Sequence, residues 1–179
     1  PDGKLIAWVE WDHPNMPWDG TRLHLASLDL ETGSISNVKL LDGAENTPIF
    51  QPIFSPDGSK LAWLSNVGEL DQLKLLHLAS GEVETLVQDR VLVPPAWVQG
   101  IRALAWSPDS QQIFFLENQL GRTSLQSKNL NTSEITTIDT TPLRWWSNPA
   151  SQRKVKWRSW PNPPGSRRAC CAFRAPIQK

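Results

Sequence analysis

The sequence predicts an all-β fold: a partial β-propeller of about three four-stranded blades, followed by an unstructured C-terminal tail. Three observations carry this. A turn-and-strand unit occurs three times, as Pro1-Asp2-Gly3-Lys4 before Leu5 to Val9, Ser55-Pro56-Asp57-Gly58-Ser59-Lys60 before Leu61 to Leu64, and Ser107-Pro108-Asp109-Ser110 before Ile113 to Leu116. A second polar turn, flanked by strand-like runs, follows each copy. One more apolar run precedes each complete copy, which brings the strands per repeat to the four of a propeller blade.

The first turn has a physical basis. Pro at the second position presets φ at about −65°, Ser favours the first position and Gly the fourth of a type I turn. The apolar runs behind it are short and β-compatible, and the second stops at Ser65-Asn66, so strand wins over helix on length and punctuation. The second turn reads Glu31-Thr32-Gly33, Ala79-Ser80-Gly81 and Asn131-Thr132-Ser133. Runs before it cover Leu23 to Leu30, Leu73 to Leu78 and Leu125 to Leu130; runs after it cover Ile35 to Leu41, Val83 to Val87 and Ile135 to Ile138. From the repeat's Pro to the third residue of this turn is 25 positions in copies two and three and 32 in the first.

The extra strands are Phe50 to Phe54 and Ile101 to Trp106. The blades therefore span about 1–42 (with its first strand missing), 48–88 and 100–139. A fourth opens near Trp145-Trp146-Ser147-Asn148-Pro149-Ala150, which gives a propeller part of 1–150 and a tail of 151–179. Repeat spacings of 55 and 52 leave room for long connections beyond a compact blade of roughly 40–45 residues. Three blades cannot close a ring and leave apolar end faces. The chain is expected to be a fragment that begins inside a repeat.

The excess of the first copy lies in Trp11-Asp12-His13-Pro14-Asn15-Met16-Pro17-Trp18-Asp19-Gly20-Thr21. Pro14 and Pro17 forbid a regular central strand, so this is an ordered loop, packed by Trp11 and Trp18 and shaped by Asp and Asn side chains. Loops on rigid scaffolds carry function. That makes Trp11, Asp12, His13, Asn15, Trp18 and Asp19 the candidate substrate-facing residues, although a purely structural loop is the simpler reading. Asp12, His13 and Asp19 match no closed metal site, and no cofactor is expected. Trp8, Trp63 and Trp106 read as inter-blade core. His24 and His77 read as strand residues, and Arg102 and Arg122 as solvated charges.

The zero net charge conceals an asymmetry. Residues 1–143 hold nine basic and eighteen acidic residues, whereas 144–179 hold nine basic residues and no acid. Basic residues interleaved with Trp, as in Arg153 to Trp160, allow a nucleic-acid reading. The alternative is a disordered tail or out-of-frame translation. Codons AAG-GTA-AAG-TGG-CGG-TCA-TGG-CCA encode residues 154–161 and, read two bases along, give GKVAVMA, a strand of the type that follows the repeat turn. The nucleic-acid reading ranks last and no such partner is expected. Cys170 and Cys171 are adjacent and imply neither a disulfide framework nor a metal site. No apolar run approaches the ~20 residues of a membrane span, and no membrane partner is expected. The expected location is the cytoplasm, although a chain that begins inside a repeat keeps any localisation signal out of view.

The loop WDHPNMPWDGT at 11–21, directly after the PDGKLIAWVE strand, resembles a recurrent loop of bacterial prolyl-oligopeptidase-type serine peptidases, in the dipeptidyl-aminopeptidase/acylaminoacyl-peptidase branch. The PPAWVQG connection at 94–100 is similar to a propeller linker there, and the repeats look like TolB-type blades. The resemblance covers about residues 1–150. It implies a propeller that gates and scaffolds a C-terminal α/β-hydrolase domain carrying Ser, Asp and His, with short peptides as substrates. That domain is the implied same-chain partner. The chain contains no G-x-S-x-G in a strand–turn–helix context, and His13, His24 and His77 have no identifiable nucleophile. No catalytic residue is therefore assigned, and the chain by itself is expected to be inactive. A stand-alone TolB-like propeller acting as a protein-interaction module is the alternative.

Overall fold

The computed structural model describes residues 2–92 and 102–140. Within them the chain forms eleven β-strands and no helix. Three run as a meander in a first sheet: β1 (Leu5–Glu10), β2 (Thr21–Leu28) and β3 (Ile35–Ala44). The second sheet is β4 (Ile49–Phe54), β5 (Lys60–Val67), β6 (Leu70–His77) and β7 (Val83–Arg90), in that order. The third is β8 (Leu104–Trp106), β9 (Gln112–Gln119), β10 (Arg122–Asn129) and β11 (Ile135–Ile138). All pairings are antiparallel. These are propeller blades, the first showing three strands among the described residues.

Several strands run past their apolar runs. β5 continues through Ser65-Asn66 to Val67 because β6 pairs with it to the hairpin tip, Asn66 opposite Asp71 and Val67 opposite Leu70. The ladder carries polar residues with it, and Ser65 and Asp71 are buried there. The fourth blade's opening, the 94–100 connection and the tail 151–179 lie outside the described residues.

The repeated turn closes as a unit. Gly58 N–H donates to Ser55 O at 2.9 Å, and the Ser55 hydroxyl lies 2.5 Å from Asp57 Oδ1 while accepting from Lys60 N at 2.9 Å. Asp57 Oδ1 also accepts from Ser59 N at 3.0 Å. Ser107, Asp109, Gln111 and Gln112 reproduce this network, with 2.5 Å between hydroxyl and carboxylate. In the first copy Asp2 Oδ1 accepts from Lys4 N at 3.1 Å. The fourth turn residue takes the left-handed region in each copy: φ is 76° at Gly3, 72° at Gly58 and 60° at Ser110. The third residue of the second turn does likewise at Gly33, Gly81 and Ser133.

The middle sheet is buried on both faces, which explains the unbroken apolar run of β5. One face sends Leu61, Trp63 and Leu76, with Ile49 of the same sheet, into a cluster with Leu23 of the first sheet. The other sends Ala62, Leu64, Leu73 and Leu75 against Leu104, Ile113 and Phe115 of the third. Trp63 is fully buried, and its indole N–H donates to Asp42 Oδ2 at 2.7 Å, an oxygen that also takes the Lys74 ammonium at 2.8 Å. Truncating a buried Trp of this kind to Ala costs about 3–5 kcal/mol.

Trp106 is half-buried against the second core and donates to Ile53 O at 3.2 Å, so it also belongs to a seam. Trp8 differs. It lies seven residues after Pro1, as Trp63 lies seven after Pro56, yet its face of sheet one carries no described sheet. It is half-buried there and stacks on His24 at 5.1 Å with planes 16° apart. The inter-blade core reading therefore holds for Trp63 and Trp106, while Trp8 occupies the equivalent outward position of sheet one.

Candidate functional site

The loop of residues 11–20 joins β1 to β2 and stands on a strand pair in which Trp8 faces His24 and Glu10 faces Arg22. This register places two aromatic rings and two charged groups on one face. His24 Nε2 lies 3.0 Å from Glu10 Oε1, Trp8 Nε1 donates to Glu10 Oε2 at 3.4 Å, and Arg22 Nε is 3.6 Å from Glu10. Arg22 also pairs with Asp12. The indole N–H of Trp8, with His24 and Arg22 beside it, holds the Glu10 carboxyl below its ordinary range. The hydrogen bond and charge of Asp12 raise Arg22 further, so it stays cationic. The buried Nδ1 of His24 has no hydrogen-bond partner among the described residues.

Within the loop, Asp12 O accepts from Asn15 N at 2.9 Å. Asp19 Oδ2 accepts from Met16 N at 2.8 Å, and Asp19 N donates to Met16 O at 2.9 Å. Asp12 and Asp19 are thus engaged in holding the loop. Asn15 and Trp18 are half-buried; Trp11 and His13 are exposed, and the bond before Pro14 is cis. Gly20 is buried beneath the loop, where an added Cβ would stand 1.9 Å from Glu45 O. No side chain fits there.

His24 and His77 partner carboxylates, His77 at 3.7 Å from Glu84, rather than hydroxyls. Among the described residues no group of three or more His, Cys, Asp or Glu is placed to hold a metal ion. Arg102 and Arg122 are exposed.

Sequence reasoning missed the residues that join the blades. Gln51, on a β4 bulge with φ of 48°, accepts from Ala103 N at 2.6 Å and Leu104 N at 3.1 Å and donates to Leu104 O at 2.8 Å. Pro52 inside a strand pattern was the available signal, since proline marks a bulge or an edge. Thr21 Oγ1 accepts from Ile49 N at 2.6 Å across the first seam. Arg90 Nη1 donates to both carboxylate oxygens of buried Glu117 at 2.9 Å across the second. Beside that pair lies an open groove of about 360 Å³ lined by Leu70, Asp89, Arg90, Val91, Glu117 and Gln119.

No protein-family model matches the chain. Dipeptidyl-peptidase 5 of Porphyromonas gingivalis is 28% identical over 144 residues, covering 77% of this chain and 20% of that protein. The chain is homologous to part of that peptidase. The solved structure of a puromycin hydrolase superposes with a TM-score of 0.67 at 26% identity, over 78% of this chain and 21% of that one. TolB of Acinetobacter baumannii, at 23% identity and a TM-score of 0.57 over 76% of this chain and 31% of that one, shares the fold. The chain spans about a fifth of the length of the peptidase relatives it matches.

Proposed function

We propose that this chain is the non-catalytic propeller part of a serine peptidase that cleaves short peptides, of the dipeptidyl/acylaminoacyl-peptidase kind, and that it gates access to an α/β-hydrolase domain of the same parent chain. The observation that carries the reading is the homology to part of a dipeptidyl-peptidase over 77% of this chain. Rigid seams built from full burial and from Gln51, Thr21 and Arg90 support a gate, because a size filter requires blades that do not splay. The loop of Trp11, Asp12, His13, Asn15, Trp18 and Asp19 is the proposed substrate-facing element. Trp11 and His13 are its exposed side chains.

Two preparations test this. The isolated chain is expected to leave dipeptidyl and acyl-peptide chromogenic substrates uncleaved; turnover blocked by an active-serine reagent would overturn the non-catalytic assignment. The full-length gene product is expected to react with that reagent and to cleave short peptides in preference to long ones. Loosening the second seam with Gln51→Ala should relax that preference. A full-length product without a reactive serine would favour the interaction-module reading, whose support is the fold shared with TolB.

A further inference from the structure

The turn proline of each repeat is followed nine residues later by Glu10, Ser65 and Glu117. These places are equivalent in the ladders. The residues two before them meet matching partners: Trp8 faces His24, Trp63 faces Lys74 and Phe115 faces Gln126. Side chains two apart on a strand share a face. In the second and third sheets that face is turned to the sheet before, where Trp63 and Phe115 pack. A propeller sets blades side by side around a ring, and the residues at these places decide which groups meet at each seam.

The end of the preceding sheet's last strand changes in step. Thr21 and Asp71 stand three residues before His24 and Lys74, and they pair with Ala44 and Arg90 respectively. Ala44 and Arg90 therefore occupy matching places. In the first seam these two places hold Ala44 and Ser65; Ser65 is fully buried, and its hydroxyl has no partner among the described residues. In the second they hold Arg90 and Glu117, with Arg90 Nη1 at 2.9 Å from both carboxylate oxygens. The Glu117 side chain is only 4% exposed. The buried carboxylate comes with a guanidinium from the sheet before it, and the neutral residue comes without one.

Sheet one has the carboxylate, and the described residues bring it no such guanidinium. The Glu10 side chain is 48% exposed, and the groups around it belong to its own sheet. His24 Nε2 is at 3.0 Å and the Trp8 indole N–H at a long 3.4 Å. Arg22 Nε stands at 3.6 Å, beyond hydrogen-bond distance, and its guanidinium is committed to Asp12. With His24 neutral, the cluster holds two carboxylates and one guanidinium. Covering Glu10 without a further cation would bury an uncompensated charge, which is strongly unfavourable.

We infer that Glu10 is an arginine-receiving site between blades: a further blade of the parent chain covers this face of sheet one and brings a guanidinium to both Glu10 oxygens, as Arg90 does to Glu117. The guanidinium comes from the end of that blade's last strand. Its planar fork matches a carboxylate in a way that a lysine ammonium does not. The same contact buries Trp8, which is half-buried here where Trp63 is fully buried. The inference rests on the parent chain of the reading under Proposed function and not on its peptidase chemistry.

The test uses the full-length protein and two side-chain reagents read by mass spectrometry. Carbodiimide coupling of glycine ethyl ester is expected to modify Glu31, which is exposed. Glu10 should be modified several-fold less, close to the level of Glu117. In Glu10→Gln, phenylglyoxal is expected to reach one arginine outside residues 1–179 several-fold faster than in wild type, whereas Asp12→Asn leaves that arginine unchanged. Should Glu10→Gln fail to fold, Glu10→Asp, with its carboxylate drawn back, is read in the same way. Glu10 modified as readily as Glu31 overturns the inference, because the face is then uncovered. Protection of Glu10 with no such arginine responding overturns it as well, because another group then covers the carboxylate. An active-serine reagent on the same sample tests the peptidase reading separately: a missing label removes that reading, and the arginine pairing is still decided by the other two reagents.

Discussion

The side-chain amide of Gln51 takes the place of a strand against Leu104, accepting from its N–H at 3.1 Å and donating to its carbonyl at 2.8 Å. Both Ala103 and Leu104 are buried, so without Gln51 their polar groups would have no water to turn to. Each buried unsatisfied group costs about 1–3 kcal/mol. Gln51→Ala is expected to destabilise the protein by about 3 kcal/mol in urea melts. Gln51→Glu retains the acceptor and should fall in between. Equal midpoints for wild type and Gln51→Ala would refute the role.

Ser110 stands where the other two turns have glycine, and its hydroxyl accepts from Asp57 N at 3.1 Å across the seam. Two effects oppose each other. The left-handed φ of 60° costs a non-glycine residue about 1–2 kcal/mol, whereas the hydrogen bond contributes about 1 kcal/mol. Ser110→Ala loses the bond and keeps the strain, so it should lower stability by about 1 kcal/mol or more. Ser110→Gly loses both and should be close to neutral. A Ser110→Gly variant as unstable as Ser110→Ala would show that strain plays no part.

Acid should loosen the turns before the cores. The Ser55 hydroxyl and the backbone N–H of Ser59 hold the Asp57 carboxyl far below its ordinary range, and Ser107 does the same for Asp109. A carboxyl depressed on folding stabilises the fold fully above its unfolded pKa of about 4 and loses that contribution as pH falls through its folded value. Stability is therefore expected to be level from pH 7 to about 5 and to decline below about 4. Asp57→Asn should flatten the decline; chemical melts across this range measure it. Exposure of Asp57 keeps the effect modest.

Gly20 is confined by Glu45 O and Ala44 O, which an added Cβ would meet at 1.9 and 2.6 Å. Since backbone cannot yield as a side-chain tip can, Gly20→Ala should displace the base of the 11–20 loop and destabilise the first sheet by about 2–4 kcal/mol, in the range of overpacked sites. Limited proteolysis should then cut within the loop first. Unchanged resistance there would remove Gly20 as its anchor.

How far the sequence could be read follows from where information resides. Turn chemistry and apolar runs are local, so Pro56, Asp57 and Gly58 marked the blade turns and the run from Leu61 to Leu64 marked a strand. The 11–20 loop was legible as ordered because Pro14 and Pro17 exclude a strand. Gln51, Ser110 and Asp42 were not legible, because each acts on a residue of another sheet that only packing brings near. Trp8 is half-buried where Trp63 is fully buried: their equivalence is a matter of position in the repeat, while burial depends on the neighbouring sheet. His24, read as an ordinary strand residue, proved to be the stacking partner of Trp8 and a neighbour of Glu10.

The second seam has a constant stride. Gln51 meets Leu104, Ile53 meets Trp106 and Asp57 meets Ser110, each 53 residues on. A growing chain at about 5–20 residues per second therefore offers each blade its neighbour only a few seconds after the blade itself is complete. During that wait the second sheet has its first-sheet face covered and its other face bare. Assembly on the ribosome becomes a sequence of brief exposures, one per repeat, and Gln51 is among the groups placed to end the one at this seam.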